Sequence, residues 1–155
     1  MKPVVTILCT TYNHEKYIKQ ALDGFLNQIT NFPFEIIVHD DASTDSTQSI
    51  LKEYQKNYPD KIKLILQNDN QFSQGKDILF DFMYEYIEGK YVAINEGDDY
   101  WIDCYKLQKQ VDFLETNPDY SLCFHPVNVE WEDKAIPAYK FPSDKFINNN
   151  EFNYN

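Results

Sequence analysis

The apolar residues of this chain fall into short runs separated by stretches in which they recur at helical spacing. The first run, Val4-Val5-Thr6-Ile7-Leu8-Cys9, is apolar on both faces, as a strand buried inside a parallel sheet must be. Three more runs carry strand signals: Phe34-Glu35-Ile36-Ile37-Val38-His39, Ile62-Lys63-Leu64-Ile65-Leu66 and Tyr91-Val92-Ala93-Ile94-Asn95. Between the first two, Tyr17, Ile18, Ala21, Leu22, Phe25, Leu26 and Ile29 share one helical face. That spacing predicts a helix over residues 14–28 with Asn13 as its N-cap. A second helix is expected over residues 44–58, with Ile50, Leu51 and Tyr54 inward and Pro59 as its stop.

Residues 67–74 read as a polar loop, residues 75–87 as a third helix rich in Phe, Met and Tyr, and residues 105–115 as a fourth, ended by Asn117-Pro118. A fifth strand signal runs from Tyr120 to Val129, and beyond Trp131 no period of either kind is sustained. The alternation predicts one α/β unit over residues 1–130 whose right-handed crossovers give a mainly parallel sheet. Residues 131–155 read as an irregular tail, the start of a further region.

Charge narrows the function. The formal net charge is −11 and the sequence contains no arginine, so a broad basic surface for nucleic acid has little to be built from. A phosphate ligand would have to be met by a metal ion, backbone amides or scattered lysines, because guanidinium clamps are missing. Cys9, Cys104 and Cys123 are odd in number and show no metal-ligand spacing, which suits a reducing cytoplasm. The N-terminus lacks a signal-peptide layout, and no window approaches the roughly 18 to 20 apolar residues of a membrane helix. Membrane contact is then expected to be peripheral, at the inner face, or made by regions outside these residues.

Sites in open α/β sheets lie at the carboxyl ends of the strands. Three polar clusters stand there: Thr10-Thr11-Tyr12-Asn13, Asp40-Asp41 and Glu96-Gly97-Asp98-Asp99. Each has a plain structural reading, because Asp, Asn and Ser also make turns and cap helices; Ser43 and Asp45 fit that reading best. The coincidence of three clusters on one sheet edge favours a ligand site. Adjacent carboxylates on a tight turn suit a hard cation such as Mn²⁺ or Mg²⁺, which also relieves their repulsion. His14 and His39 flank two clusters, yet a lone histidine is more often a surface or core residue, and Tyr100 and Trp101 beside a helix start read first as core packing.

Together, Val-Val-Thr-Ile-Leu-Cys-Thr-Thr-Tyr-Asn, Val-His-Asp-Asp-Ala-Ser-Thr-Asp and Gly-Lys-Tyr-Val-Ala-Ile-Asn-Glu-Gly-Asp-Asp-Tyr-Trp resemble the family 2 glycosyltransferases, in particular bacterial members that build surface polysaccharides. The resemblance spans residues 3 to 130. It implies the GT-A fold, a Rossmann-like three-layer α/β sandwich, and an enzyme that moves a sugar from a nucleoside diphosphate, commonly UDP, to a saccharide or lipid-linked acceptor hydroxyl with inversion. It implies that Thr10 and Tyr12 line the nucleotide pocket and that Asp41 accepts a hydrogen bond from the base, with Asp40 beside it. Asp98 would touch ribose or sugar, Asp99 would hold the metal together with Asp98, and Lys76 would supply a basic contact to the donor. Glu96 stands where many relatives have Asp. The catalytic base is expected in an acceptor-binding half, C-terminal to the acidic cluster. Rival readings are a non-catalytic nucleotide-sugar-binding domain and a sugar-phosphate nucleotidyltransferase; the latter needs a Gly-rich basic loop after the first strand, where this chain has Thr10-Thr11-Tyr12-Asn13.

Overall fold

The structure is a computed structural model that describes residues 2–132 and 135–142. The chain divides into two compact units, residues 1–112 and 113–155. In the first, β1 (Val5–Thr11), β2 (Phe34–Asp40), β3 (Ile62–Leu66) and β4 (Tyr91–Glu96) form one parallel sheet in the order β3-β2-β1-β4. The expected α/β class and parallel sheet are what forms.

Period-two alternation sorts the strand side chains into two layers. Val5, Ile7 and Cys9 of β1 and Ile36 and Val38 of β2 face one way. They pack against Ile18, Ala21, Leu22 and Phe25 of α1 (Ile18–Leu26), Leu51 of α2 (Thr47–Asn57), and Leu107 and Val111 of α3 (Lys106–Thr116). Leu8 and Ile37 face the other way and are covered by Met83, with Ile78, Leu79 and Ile87 partly buried around it.

That second cover departs from the expected helix over residues 75–87. Gly75 adopts a left-handed φ of 77°, and the segment winds as a wide π-helical turn at Leu79–Met83 followed by a 3₁₀ turn at Tyr84–Tyr86. Asp77 Oδ1 accepts from the backbone N–H groups of Leu79 and Phe80, which starts the winding. Leu79, Met83 and Ile87 still reach the sheet, so the apolar pattern was a true burial signal with a different winding.

The first helix also begins later than expected, at Ile18. Asn13 does not cap it; at φ 55° its Oδ1 accepts from the Thr44 N–H and hydroxyl, and its own N–H donates to Ser43 Oγ. Glu15 N–H donates to Asp45 Oδ2, while Ser46 N–H donates to Glu15 Oε2. The turns that follow β1 and β2 are thus tied to each other before their helices begin.

In the second unit, only Val127–Val129 of the expected fifth strand is extended. This β5 pairs antiparallel with β6 (Tyr139–Phe141) rather than joining the parallel sheet. Pro126 precedes it and lacks the N–H that an earlier start would need. β6 is three residues long, too short to show a period. Among the described residues no helix is long and apolar enough to cross a membrane.

Candidate functional site

Chain order gives the sheet a switch point. The path moves outward from β1 to β2 and β3, then returns to place β4 on the other side of β1, which leaves a crevice where the carboxyl ends of β1 and β4 meet. Backbone bonds fix both neighbouring turns to the end of β1: Asp41 N–H donates to Thr11 O at 3.0 Å, and Gly97 N–H to Thr10 O at 2.9 Å. The three polar clusters therefore sit side by side.

A cavity of about 670 Å³ opens over this edge, lined among others by Thr10, Tyr12, His39, Asp41, Lys76 and Glu96. That volume is in the range of sites that take cofactor-sized ligands. Tyr12 is 43% exposed, and an exposed aromatic at a cavity wall can stack on a ligand ring. Asp41 is buried, and both of its oxygens are engaged: Oδ1 accepts from Gln71 N–H at 2.7 Å and Oδ2 from Phe72 N–H at 3.0 Å. A carboxylate offers about four lone-pair sites, so room for one more donor remains. Asp41 thus anchors the loop that carries Phe72 over the cavity.

Asp40 lies on the opposite face of β2, fully buried and outside the cavity lining. Its carboxylate accepts from Ser43 N–H, the Ser43 hydroxyl and Gln48 Nε2, so it shapes the turn that presents Asp41. Lys76, immediately after Gly75, supplies a cation at the cavity wall.

Asp98 and Asp99 follow Glu96 in the turn after β4 and are not among the residues that line the cavity. Asp98 Oδ1 lies 3.9 Å from Nδ1 of His14, a lining residue. Gly97 makes this approach possible: a Cβ there would stand 2.6 Å from Thr11 Oγ1 and 2.9 Å from His14 Nδ1. Both of those atoms are buried without a hydrogen-bond partner among the described residues. Burial, then the charge of Asp98, pushes the Asp99 carboxyl above its ordinary value, with His14 opposing. The same acidic turn adds to burial in raising the Cys9 thiol, which keeps that cysteine inert. Uncompensated negative charge on a tight, partly exposed turn is the environment a divalent cation stabilises. Among the described residues no three His, Cys, Asp or Glu side chains converge; a hard cation held by one or two carboxylates and completed by phosphate oxygens needs no third. The residues present fit such an ion.

The chain matches the profile described as Glycosyl transferase family 2 over residues 6–155. The chain belongs to glycosyl transferase family 2. This family 2 chain is 46% identical to the uncharacterized protein Rv1520 of Mycobacterium tuberculosis over 140 residues, covering 89% of itself and 39% of that relative. It is similar in structure to S. aureus TarS in complex with UDP-GlcNAc, with a TM-score of 0.62, 30% identity and coverage of 76% and 32% of the two chains. It is also similar to the mannosyltransferase PcManGT from Pyrobaculum calidifontis in complex with GDP-Man and Mn²⁺, with a TM-score of 0.62, 28% identity and coverage of 74% and 33%. The chain spans about two fifths of the length of the first curated relatives.

His39 lines the cavity as well, although a lone histidine beside a turn reads first as a surface or core residue. It is fully buried, its ring lies 5.5 Å from that of Phe82, and its Nε2 is 3.1 Å from Gln67 Nε2. Its place was readable only from the alternation of β2, which puts it on the face of Ile37. Burial lowers its pKa from the usual 6.5, against the raising effect of Asp41 and Asp40. The unfolded chain therefore takes up a proton near that value while the folded one does not. Stability is complete above about pH 6.5 and falls as pH drops toward the lowered folded value. Scanning calorimetry between about pH 7.5 and pH 5.5 should show the melting temperature falling on acidification, and His39→Gln should have a shallower slope. An equal slope in that variant would assign the effect to other groups.

Proposed function

We propose that this chain carries the donor side of a glycosyl transfer: it binds a nucleoside-diphosphate sugar, a UDP-sugar first, for transfer to an acceptor hydroxyl with inversion and with help from a divalent cation. The observation that carries the reading is the cavity at the end of β1, lined by Thr10, Asp41, His14 and Glu96, with the Asp98-Asp99 turn following Glu96 and Asp98 beside His14, in a family 2 chain. The TarS complex with UDP-GlcNAc supports the uridine donor and the PcManGT complex supports Mn²⁺.

In this reading Tyr12 stacks on the base, Asp41 accepts its N–H, Thr10 lines the nucleotide pocket, and Asp40 holds the turn behind it. Lys76 meets donor phosphate. Asp98 reaches ribose or sugar and, with Asp99, would hold Mn²⁺ or Mg²⁺. Such an ion offsets the charge of the departing diphosphate. The acceptor oxygen bonds to the anomeric carbon as the bond to the diphosphate oxygen breaks, from the opposite face, and a base in the acceptor-binding half takes the acceptor proton. The acceptor is a saccharide or a lipid-linked saccharide. Residues 1–130 form the donor-binding part and residues 131–155 lead to the acceptor region. The odd count and wide spacing of Cys9, Cys104 and Cys123 support a cytoplasmic setting.

Calorimetric titration of the chain with UDP and with GDP, each with and without Mn²⁺, tests the reading. UDP is expected to bind more tightly than GDP, and Mn²⁺ to tighten UDP binding by at least about tenfold, roughly 1.4 kcal/mol. Identical UDP affinity with and without Mn²⁺ would remove the metal from the proposal, and no UDP binding at all would remove the donor site.

A further inference from the structure

The acidic turn is held from beneath by two side chains outside the cavity lining, and the geometry assigns them a positioning role. Asn95, the buried penultimate residue of β4, donates through Nδ2 to Glu96 O at 2.5 Å and to Asp99 O at 2.9 Å. One carboxamide therefore clasps both ends of the turn, and Asp99 N–H closes it onto Glu96 O at 3.1 Å. Asn95 is oriented in turn: its Oδ1 accepts from Trp101 Nε1 at 2.7 Å. A bond there fixes which end of the amide faces the turn, because Oδ1 alone can accept and Nδ2 alone can donate.

Trp101 cannot easily move. Its ring meets Phe25 of α1 edge-on at 4.7 Å between centroids, Lys106 Nζ sits 4.0 Å above it, and Gly24 packs so closely that a Cβ there would lie 3.1 Å from the Trp101 backbone. The packed α1 layer, the indole, the carboxamide and the turn thus form one mechanical chain. All of its bonds to the turn are made to main-chain atoms, which leaves the Asp98 and Asp99 carboxylates outside the clasp. Two like charges on adjacent residues favour an open turn. The clasp opposes that opening and holds both carboxylates at one place for a cation.

We infer that Asn95 and Trp101 are positioning residues for the cation-binding carboxylates; this rests on the donor-site reading above. Groups that orient metal ligands without touching the metal typically change affinity 10- to 100-fold. Trp101→Phe keeps a ring against Phe25 and removes only the indole donor; Asn95→Leu removes the clasp at similar volume. UDP titrations with and without Mn²⁺, alongside melting curves, separate the roles. Trp101→Phe is expected to bind UDP without metal within about twofold of the parent chain and to lose at least about tenfold of UDP affinity in Mn²⁺, with Asn95→Leu losing as much or more. A lowered melting temperature with the full Mn²⁺ enhancement retained would overturn the positioning role and leave a structural one. Trp101→Phe decides if Asn95→Leu does not fold. If the parent chain shows no Mn²⁺ enhancement, the donor-site reading itself has failed and the inference falls with it.

Discussion

Asp99→Asn should abolish the metal-dependent part of UDP binding, a loss of at least about tenfold in Mn²⁺, or about 1.4 kcal/mol. The substitution keeps the shape of the side chain and removes its charge. The turn itself does not depend on that charge, because Asp99 is held by its main chain: its N–H donates to Glu96 O and its carbonyl accepts from Asn95 Nδ2. Burial and the neighbouring Asp98 already disfavour the ionised form, so neutralising it relieves repulsion in the free protein. The melting temperature is therefore expected to stay level or rise slightly, while UDP titrations with Mn²⁺ come to match those without it. A variant that retains the Mn²⁺ enhancement would show that the cation is held elsewhere. A variant that loses UDP binding in the absence of metal as well would place Asp99 on the nucleotide.

What the sequence made legible here was governed by periodicity and by chain order. The strands β1, β2, β3 and β4 declared themselves as apolar runs, and a right-handed α/β path then brought Thr10, Asp41 and Asp98 to one edge without any contact being known. Hidden from such a reading was everything fixed by side-chain bonds between turns. Asn13 looked like a helix cap because it precedes an apolar helical stripe, yet Thr44 and Ser43 hold it in a left-handed conformation across the sheet end. Asp40 and Asp41 are adjacent and chemically identical, and alternation sends one behind the turn and the other to the cavity. The winding of residues 75–87 was equally invisible, since a π-helical turn and an α-helix can bury the same residues. Membership of glycosyl transferase family 2 was legible because its motifs lie in the strand ends, which are the best-determined parts of the pattern.

Gly89→Ala is expected to be the most destabilising single methyl addition in the first unit, by about 3 kcal/mol or more. A Cβ on Gly89 would stand 2.5 Å from Thr6 N, 2.8 Å from Val5 C and 2.9 Å from Thr6 Oγ1. Two of those atoms are backbone of β1, which is hydrogen-bonded on both sides to β2 and β4 and has no direction in which to yield. The same spot holds a buried polar network that a shift would break. Gly89 N–H donates to Thr6 Oγ1 at 2.9 Å, the Thr6 hydroxyl donates to Glu35 Oε1 at 2.7 Å, and Lys63 Nζ bridges Glu35 and Glu88 at 2.9 Å each. Breaking it would strand the nearly buried Glu35 carboxylate, a larger penalty than the lost bonds themselves. Melting curves for Gly89→Ala and Gly75→Ala make the comparison, because Gly75 has a left-handed φ but nothing within 4 Å of an added Cβ. Its substitution carries only backbone strain, about 1 kcal/mol. Similar melting temperatures for the two variants would refute the clash. Because the network lies at the end of the sheet opposite the cavity, the folded fraction of Gly89→Ala should bind UDP and Mn²⁺ as the parent chain does, which separates loss of fold from loss of site.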